Sequence, residues 1–338
     1  MVDRGELNRL VERTAQDSGF AGVVRVDCAD ETVVSAAYGL ADRRHGIPNT
    51  VATRFAVASC AKGFTALTVM SLVADDTLSL DNPVRPLLGA DLPLIDDGVT
   101  IRQLLAHRSG IGDYLDEDDG GDIDDYVLSI PVHELLTTES YLAVLDGYPQ
   151  REPPGEMFRY NNSGFVVLAL VAERAAGRSY HQLVDERVVQ RAGLTATSFE
   201  RGDELPGDVA IGYLQPDGLR SNVLHLPVRG VGDGGIVTTA DDVHRLWQAL
   251  FADRIVPADM RRSMVEPVSE APKERQRYGL GFWLHETRSP VSLEGIDAGV
   301  SFRSVFDPES EIIHTTLANT SGGAWPVTNA LDAALGLE

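Results

Sequence analysis

The sequence predicts an α/β (α+β) fold, an antiparallel sheet flanked by helices and interrupted by an inserted, mostly helical lobe. Strand-like segments sit near both ends of the chain, helical periodicity dominates from about residue 100 to 193, and no internal repeat or low-complexity linker divides the two. Strands at both termini imply that the ends meet in one sheet. The chain is therefore expected to be a single unit over 1–338, with about 1–57 and 225–338 forming the sheet lobe and about 58–224 the mainly helical lobe.

The opening MVDRGELNRLVERTAQDSGF places Leu7, Leu10 and Val11 on one face of an amphipathic helix. GVVRVDCADETVVSAAYGLAD alternates around a polar turn and reads as a hairpin, followed by a short strand, TRFAVA. SCAKGFTALTVMSLVADD reads as a buried helix of about four turns starting near Ser59. IRQLLAH, VHELLTTESYLAVL and GFVVLALVAERAAG read as further helices between Gly and Pro punctuation, with DEDDGGDIDDY as an exposed acidic loop. After Gly212 come glycine-rich turns, the helix ADDVHRLWQALF, and the strands GLGFWLHE, SFRSVFD and EIIHTTLAN.

A chain of 338 residues, 43% hydrophobic, is long enough for a real core. Its net charge of -22 excludes nucleic acid and anionic membranes as expected partners, since phosphate groups are met by a Lys and Arg surplus. Cys28 and Cys60 form no C-x-x-C pair, the eight histidines show no zinc spacing, and neither a metal nor a cofactor is implied. The N-terminal helix lacks the apolar core of a signal peptide, and no apolar run approaches the length of a membrane span. A soluble, cytoplasmic protein acting on a small molecule is the expectation.

Lysine occurs only at Lys62 and Lys273. A chain that uses arginine elsewhere has a reason to keep a lysine where a proton must move, because burial can neutralise an ammonium but not a guanidinium. Lys273 lies in the polar run APKERQR, whereas Lys62 lies in an apolar stretch. Ser59-Cys60-Ala61-Lys62 sets a hydroxyl and an amine three residues apart on one helix face, where the lysine can accept or relay the serine proton. A Ser59 that merely caps a helix is the alternative. In PPGEMFRYNNSGFVVLAL, Tyr160 and Asn162 stand on a turn before a buried helix, either as a proton-handling pair facing a cleft or as a core tyrosine with turn-forming asparagines.

The order RFAVASCAKGFTALTVMSLV, IRQLLAHRSGI, PPGEMFRYNNSGFVVLALVAE, GDGGIVTTADDVHRLWQAL and YGLGFW resembles the serine β-lactamase-related family over about Gly22 to Gly322. That family comprises class C β-lactamases, D-alanyl-D-alanine carboxypeptidases and β-lactamase-fold esterases. The resemblance implies a β-lactamase/DD-peptidase-like fold, with Ser59 as acyl-enzyme nucleophile and Lys62 as its proton acceptor or relay. It further implies Tyr160 as general base, in phenolate form beside the lysine, and Asn162 as a contact to Lys62 and substrate. The family's third motif, Lys-Thr-Gly or His-x-Gly, is replaced. Alignment on Gly295 and Gly299 puts Leu293-Glu294-Gly295 there.

The missing cation is the group that, by the resemblance, meets the carboxylate of β-lactams and of D-Ala-D-Ala. Gly295 still allows a substrate carbonyl close to the strand, and the N–H of Ile296 is expected to pair with that of Ser59 as an oxyanion hole. Glu294 is a candidate substrate contact, Asp297 another, and Arg303 a candidate replacement cation. A serine hydrolase of a small ester or amide is therefore expected first. Peptidase or β-lactamase activity follows, then acyl transfer, and a pseudoenzyme that only binds is the reading from a different class. GVGDGG matches a dinucleotide fingerprint in the wrong context, after Pro227 and without a βαβ unit, and His107 reads as a structural histidine.

Overall fold

The computed structural model describes residues 3–337. Helix α1 (Arg4–Ser18) is capped by the Asp3 side chain at its start and by left-handed Gly19 at its end. It leads into strands β1 (Gly22–Cys28) and β2 (Glu31–Tyr38), the expected hairpin, which turns through Ala29 at φ 52°. The buried helix α2 (Ala61–Ala74) follows a 3-10 turn at Ala58–Cys60 that holds Ser59. Next come α3 (Ile101–Leu105), α4 (Asn162–Ala176) and α5 (Ala240–Phe251). Strands β3 (Ser269–Ala271), β4 (Gln276–Tyr278), β5 (Trp283–His285), β6 (Val291–Asp297), β7 (Val300–Asp307) and β8 (Ile312–Ala318) then precede α6 (Trp325–Leu335).

The strands make one eight-stranded antiparallel sheet in the order β2-β1-β8-β7-β6-β5-β4-β3. The two ends of the chain are neighbours within it, with β1 beside β8 from Gly22 opposite Ala318 to Cys28 opposite Ile312. Alternation decides what covers each face. Val24 and Val26 meet Leu7, Val11, Val327 and Leu331 of α1 and α6, while Phe302 and Leu317 meet the larger core built on α2, α4 and α5.

Helix α2 is buried from Ala61 through Leu72, so its apolar residues surround the axis instead of forming a stripe. It lies against α4, which is likewise buried from Asn162 to Ala172. Two expectations need correction. VHELLTTESYLAVL is not one helix; it forms 3-10 turns at Val132–Glu134 and Thr138–Tyr141 and a four-residue helix at Leu142–Leu145. Its paired threonines cap and break it, the Thr137 side chain accepting the Ser140 N–H. TRFAVA keeps only Phe55–Ala56 as a strand, paired to Ile236–Thr238 in a small separate sheet.

Candidate active site

The backbone is forced into shape immediately before Ser59. Ala58 takes a left-handed φ of 45°, unfavourable for a residue with a Cβ, and the 3-10 turn it starts feeds directly into α2. Strand β6 presses against this turn. A Cβ at Gly295 would lie 2.3 Å from the Val57 carbonyl and 2.9 Å from the Ser59 nitrogen, a separation only glycine permits. Beyond Ser292, where β5 stops pairing with it, β6 has a free edge while its other edge stays paired to β7.

Lys62 is 2% exposed and lies in the first turn of α2. Its Nζ donates to the Ser59 hydroxyl at 2.8 Å, to Asn162 Oδ1 at 2.8 Å and to the Asp233 carbonyl at 3.4 Å. Burial pulls the Lys62 ammonium down, and the charges of Asp233, Glu117, Asp113 and Asp297 push it back up. Ser59 is thus hydrogen-bonded to a lysine and makes no side-chain cap on the helix.

Asn162 is held from three sides. Its backbone N–H donates to Asp113 at 2.7 Å, its Nδ2 to the Leu115 carbonyl at 2.7 Å, and its Oδ1 receives Lys62. Asp113 also accepts the Ser163 N–H at 2.8 Å, satisfying the first turn of α4. Asn161 caps the same helix, accepting the Gly164 N–H at 2.6 Å, and its own N–H meets His107 Nδ1 at 3.0 Å. His107 is therefore structural, with burial first and Lys62 second holding it well below the usual imidazole range.

Tyr160 lies 5.7 Å from Trp283 in a stacked pair and 4.4 Å from the His107 ring. Its ring centroid is 4.9 Å from Lys62 Nζ. Burial, reinforced by Glu117, holds the phenol protonated well above its ordinary range. That direction opposes the phenolate implied by the resemblance, because the carboxylates around the site disfavour a further negative charge.

The substrate contacts expected on β6 do not all reach the cleft. Gly295 abuts Ser59, and Ile296 borders the cleft. Glu294 does not reach it. Leu293 turns inward against α2, so its neighbour Glu294 turns to the far face and pairs with Arg303 and with Gln276, the latter at 3.0 Å. Arg303 is consumed there, reaching Asp332 at 3.2 Å, and supplies no cation to the site.

Ser59 opens onto a cleft of ≈ 1180 Å³. One wall is apolar, with Val209, Ile211, Leu226 and Val237. The charged lining is almost all acidic: Asp116, Glu117, Asp122, Asp125, Glu200, Asp203, Asp233 and Asp297 against Arg44 alone among the described residues. Burial raises Asp297 to about 7, and it also raises Glu117 and Asp233, in both cases opposed by the charge of Lys62. Glu117 lines the cleft and stands open to water there. The acidic run read as a bland surface loop thus forms one side of the cleft. Asp233 was likewise hidden inside a glycine run that reads as a turn.

The chain is similar to known proteins over nearly its whole length. The Beta-lactamase family model matches residues 7–337. A penicillin-binding protein of known structure from Bacillus halodurans superposes with a TM-score of 0.89 at 34% identity, covering 96% of this chain and 99% of its own. The esterase EstB of Burkholderia gladioli is 29% identical over 84% of this chain and 76% of its own length. A D-aminopeptidase of Brucella anthropi is 26% identical over 84% of this chain, and the match spans 53% of the longer enzyme.

Proposed function

The chain belongs to the Beta-lactamase family and is a serine hydrolase of that fold, and from this premise we propose that it cleaves a small neutral or cationic ester or amide through an acyl-enzyme on Ser59. The observation that carries the reading is the Ser59–Lys62–Asn162 hydrogen-bonded cluster at the base of a cleft whose charged lining is carboxylate. In this reading neutral Lys62 accepts the Ser59 proton as Oγ attacks the carbonyl carbon, and the Ser59 and Ile296 N–H groups receive the developing oxyanion. Tyr160, kept as a neutral phenol, passes the proton to the leaving group. Water then attacks the ester on Ser59 and frees the acid.

The lining disfavours substrates that carry a carboxylate near the scissile bond. Leu293 stands where a cation would meet it, Arg303 is paired behind the sheet, and Glu117, Asp233 and Asp297 would repel it. Esterase and D-aminopeptidase relatives are compatible with this preference; β-lactam and D-Ala-D-Ala cleavage are the second reading, favoured by the penicillin-binding-protein relative. Intact-mass labelling with a fluorophosphonate and with a penicillin, on wild type and Ser59→Ala, tests both. Phosphonylation that needs Ser59, without penicilloylation, is expected. Stable or turning-over penicilloylation restores the lactam reading, and no label from either reagent makes the chain a binding pseudoenzyme.

A further inference from the structure

A buried lysine that exchanges a proton with serine needs its charge balanced by something fixed. Three acceptors surround Lys62 Nζ: Ser59 Oγ, Asn162 Oδ1 and the Asp233 carbonyl. An ammonium has three protons to give, so this set satisfies the charged form completely and leaves no lone pair facing Ser59. To accept the Ser59 proton, Lys62 must first release one of its own. What opposes that release is the negative charge nearby.

The groups that face Lys62 come from four parts of the fold. Asp233 lies on the loop before Ile236–Thr238, Asp113 and Glu117 on the strap after α3, Asp297 at the end of β6, and Tyr160 and His107 on the aromatic side. Asp233 also touches the lysine through its backbone, its carbonyl accepting Lys62 Nζ at 3.4 Å, and its charge favours the ammonium. Asp113 is occupied by the N–H groups of Asn162 and Ser163 and Asp297 by the Ala298 N–H at 2.8 Å, while Glu117 is open to water. The Asp233 carboxylate is held instead by the Tyr114 hydroxyl in a short hydrogen bond.

The loop that carries Asp233 cannot drift. The Gly232 carbonyl accepts Thr65 Oγ1 of α2 at 2.5 Å, and a Cβ at Gly232 would fall 1.9 Å from the Phe165 carbonyl of α4. Tyr114 is fixed in turn, its N–H donating to Ser163 Oγ at 3.0 Å. The loop, the strap and both central helices therefore converge on one carboxylate beside the lysine.

We propose that Asp233, oriented by Tyr114, is a positioning residue that serves Lys62 as its buried counter-ion and so decides how readily Lys62 takes the Ser59 proton. The inference rests on the reading of Ser59 as nucleophile and Lys62 as its proton acceptor. In the step itself the Ser59 O–H bond breaks, its proton goes to the Lys62 lone pair, and the Oγ electron pair forms the bond to the carbonyl carbon. Asp233 exchanges no atom; it stabilises the ammonium on either side of that step.

The test is the rate of Ser59 labelling by a fluorophosphonate as a function of pH, a readout independent of the natural substrate. Asp233→Asn and Asp233→Ser should move the acidic limb of this profile down by about one pH unit, so that at pH 6 the rate relative to its own plateau rises about tenfold. Asp233→Glu should leave the limb near its wild-type position. A merely structural residue would lower the plateau and leave the limb in place, and that result overturns the proposal. Variants that no longer melt cooperatively would assign the carboxylate to folding and overturn it too. If wild type is not labelled at any pH, the nucleophile assignment itself has failed.

Discussion

At the scale of single residues, the site holds more acid than a resting protein favours. Asp297 is raised to about 7 and Asp113 to about 6, chiefly by burial, against an ordinary value of about 3.9. A raised carboxylate binds protons more readily folded than unfolded. Its ionisation therefore subtracts stability progressively as pH climbs from about 4 through its folded value. Asp297→Asn should raise the melting temperature at pH 8 by about 2 °C or more and change it little at pH 4, which calorimetry at the two pH values reads directly. Equal gains at both pH values would remove burial of the charge as the cause. The hydrogen-bonded pair of Ser59 and Lys62 was legible because a chain with two lysines leaves few places for proton transfer. Glu294 was misplaced because residue order along a strand says nothing of which face each side chain takes until one neighbour is anchored, and Leu293 is that anchor.

At the scale of elements, the 3-10 turn before α2 and the strand β6 work as a jaw. Ala58 carries the strain of a left-handed Cβ residue, about 1 kcal/mol, so Ala58→Gly should stabilise the fold by about that amount in urea unfolding. The same change frees the turn, and fluorophosphonate labelling of Ser59 should slow. Gly295→Ala should do the reverse of a conservative change. Its Cβ would meet the Val57 carbonyl at 2.3 Å, pushing β6 from Ser59 and lowering the labelling rate by about a hundredfold while leaving circular dichroism near wild type. The long elements were readable from the pattern of apolar residues. Helix α4 and strands β1, β7 and β8 fall close to the apolar or alternating runs that mark them, α4 and β8 being buried on every side. The region from Asp113 to Tyr160 was not, because its conformation comes from side chains gripping distant backbone. Arg151 pairs with Asp116, Lys273 reaches Asp118 at 2.7 Å, and Gln150 donates to the Ser109 carbonyl at 2.7 Å.

At the scale of the whole molecule, the sheet is pinned to its helices by buried charge. His244 Nδ1 meets Asp27 at 2.6 Å and His314 Nε2 meets Asp332 at 2.7 Å, both within the interior. Burial pushes His244 down, so the unfolded chain takes up a proton that the folded one resists, and stability falls as pH drops below about 6.5. Burial opposes ionisation of Asp27, but hydrogen bonds from His244 and Arg25 prevail and hold it well below the usual carboxylate range; its contribution is lost below about pH 4. His244→Gln should therefore remove part of the acid-linked loss, so that the melting temperature read by tryptophan fluorescence falls less between pH 7 and pH 5 in the variant than in the wild type. The pairing of β1 with β8 sets a different limit, one of time. On the ribosome the N-terminal hairpin emerges early, yet the partner for Gly22–Cys28 is made only when Ile312–Ala318 leaves the tunnel. Until then one edge of β1 is an open template, and a loop of nearly the whole chain must close to cover it. Synthesis of this hydrolase thus carries an aggregation hazard until Ile312–Ala318 has emerged. A circular permutant with the original ends joined and new ends in the acidic strap should refold faster than the natural order, at unchanged sheet topology.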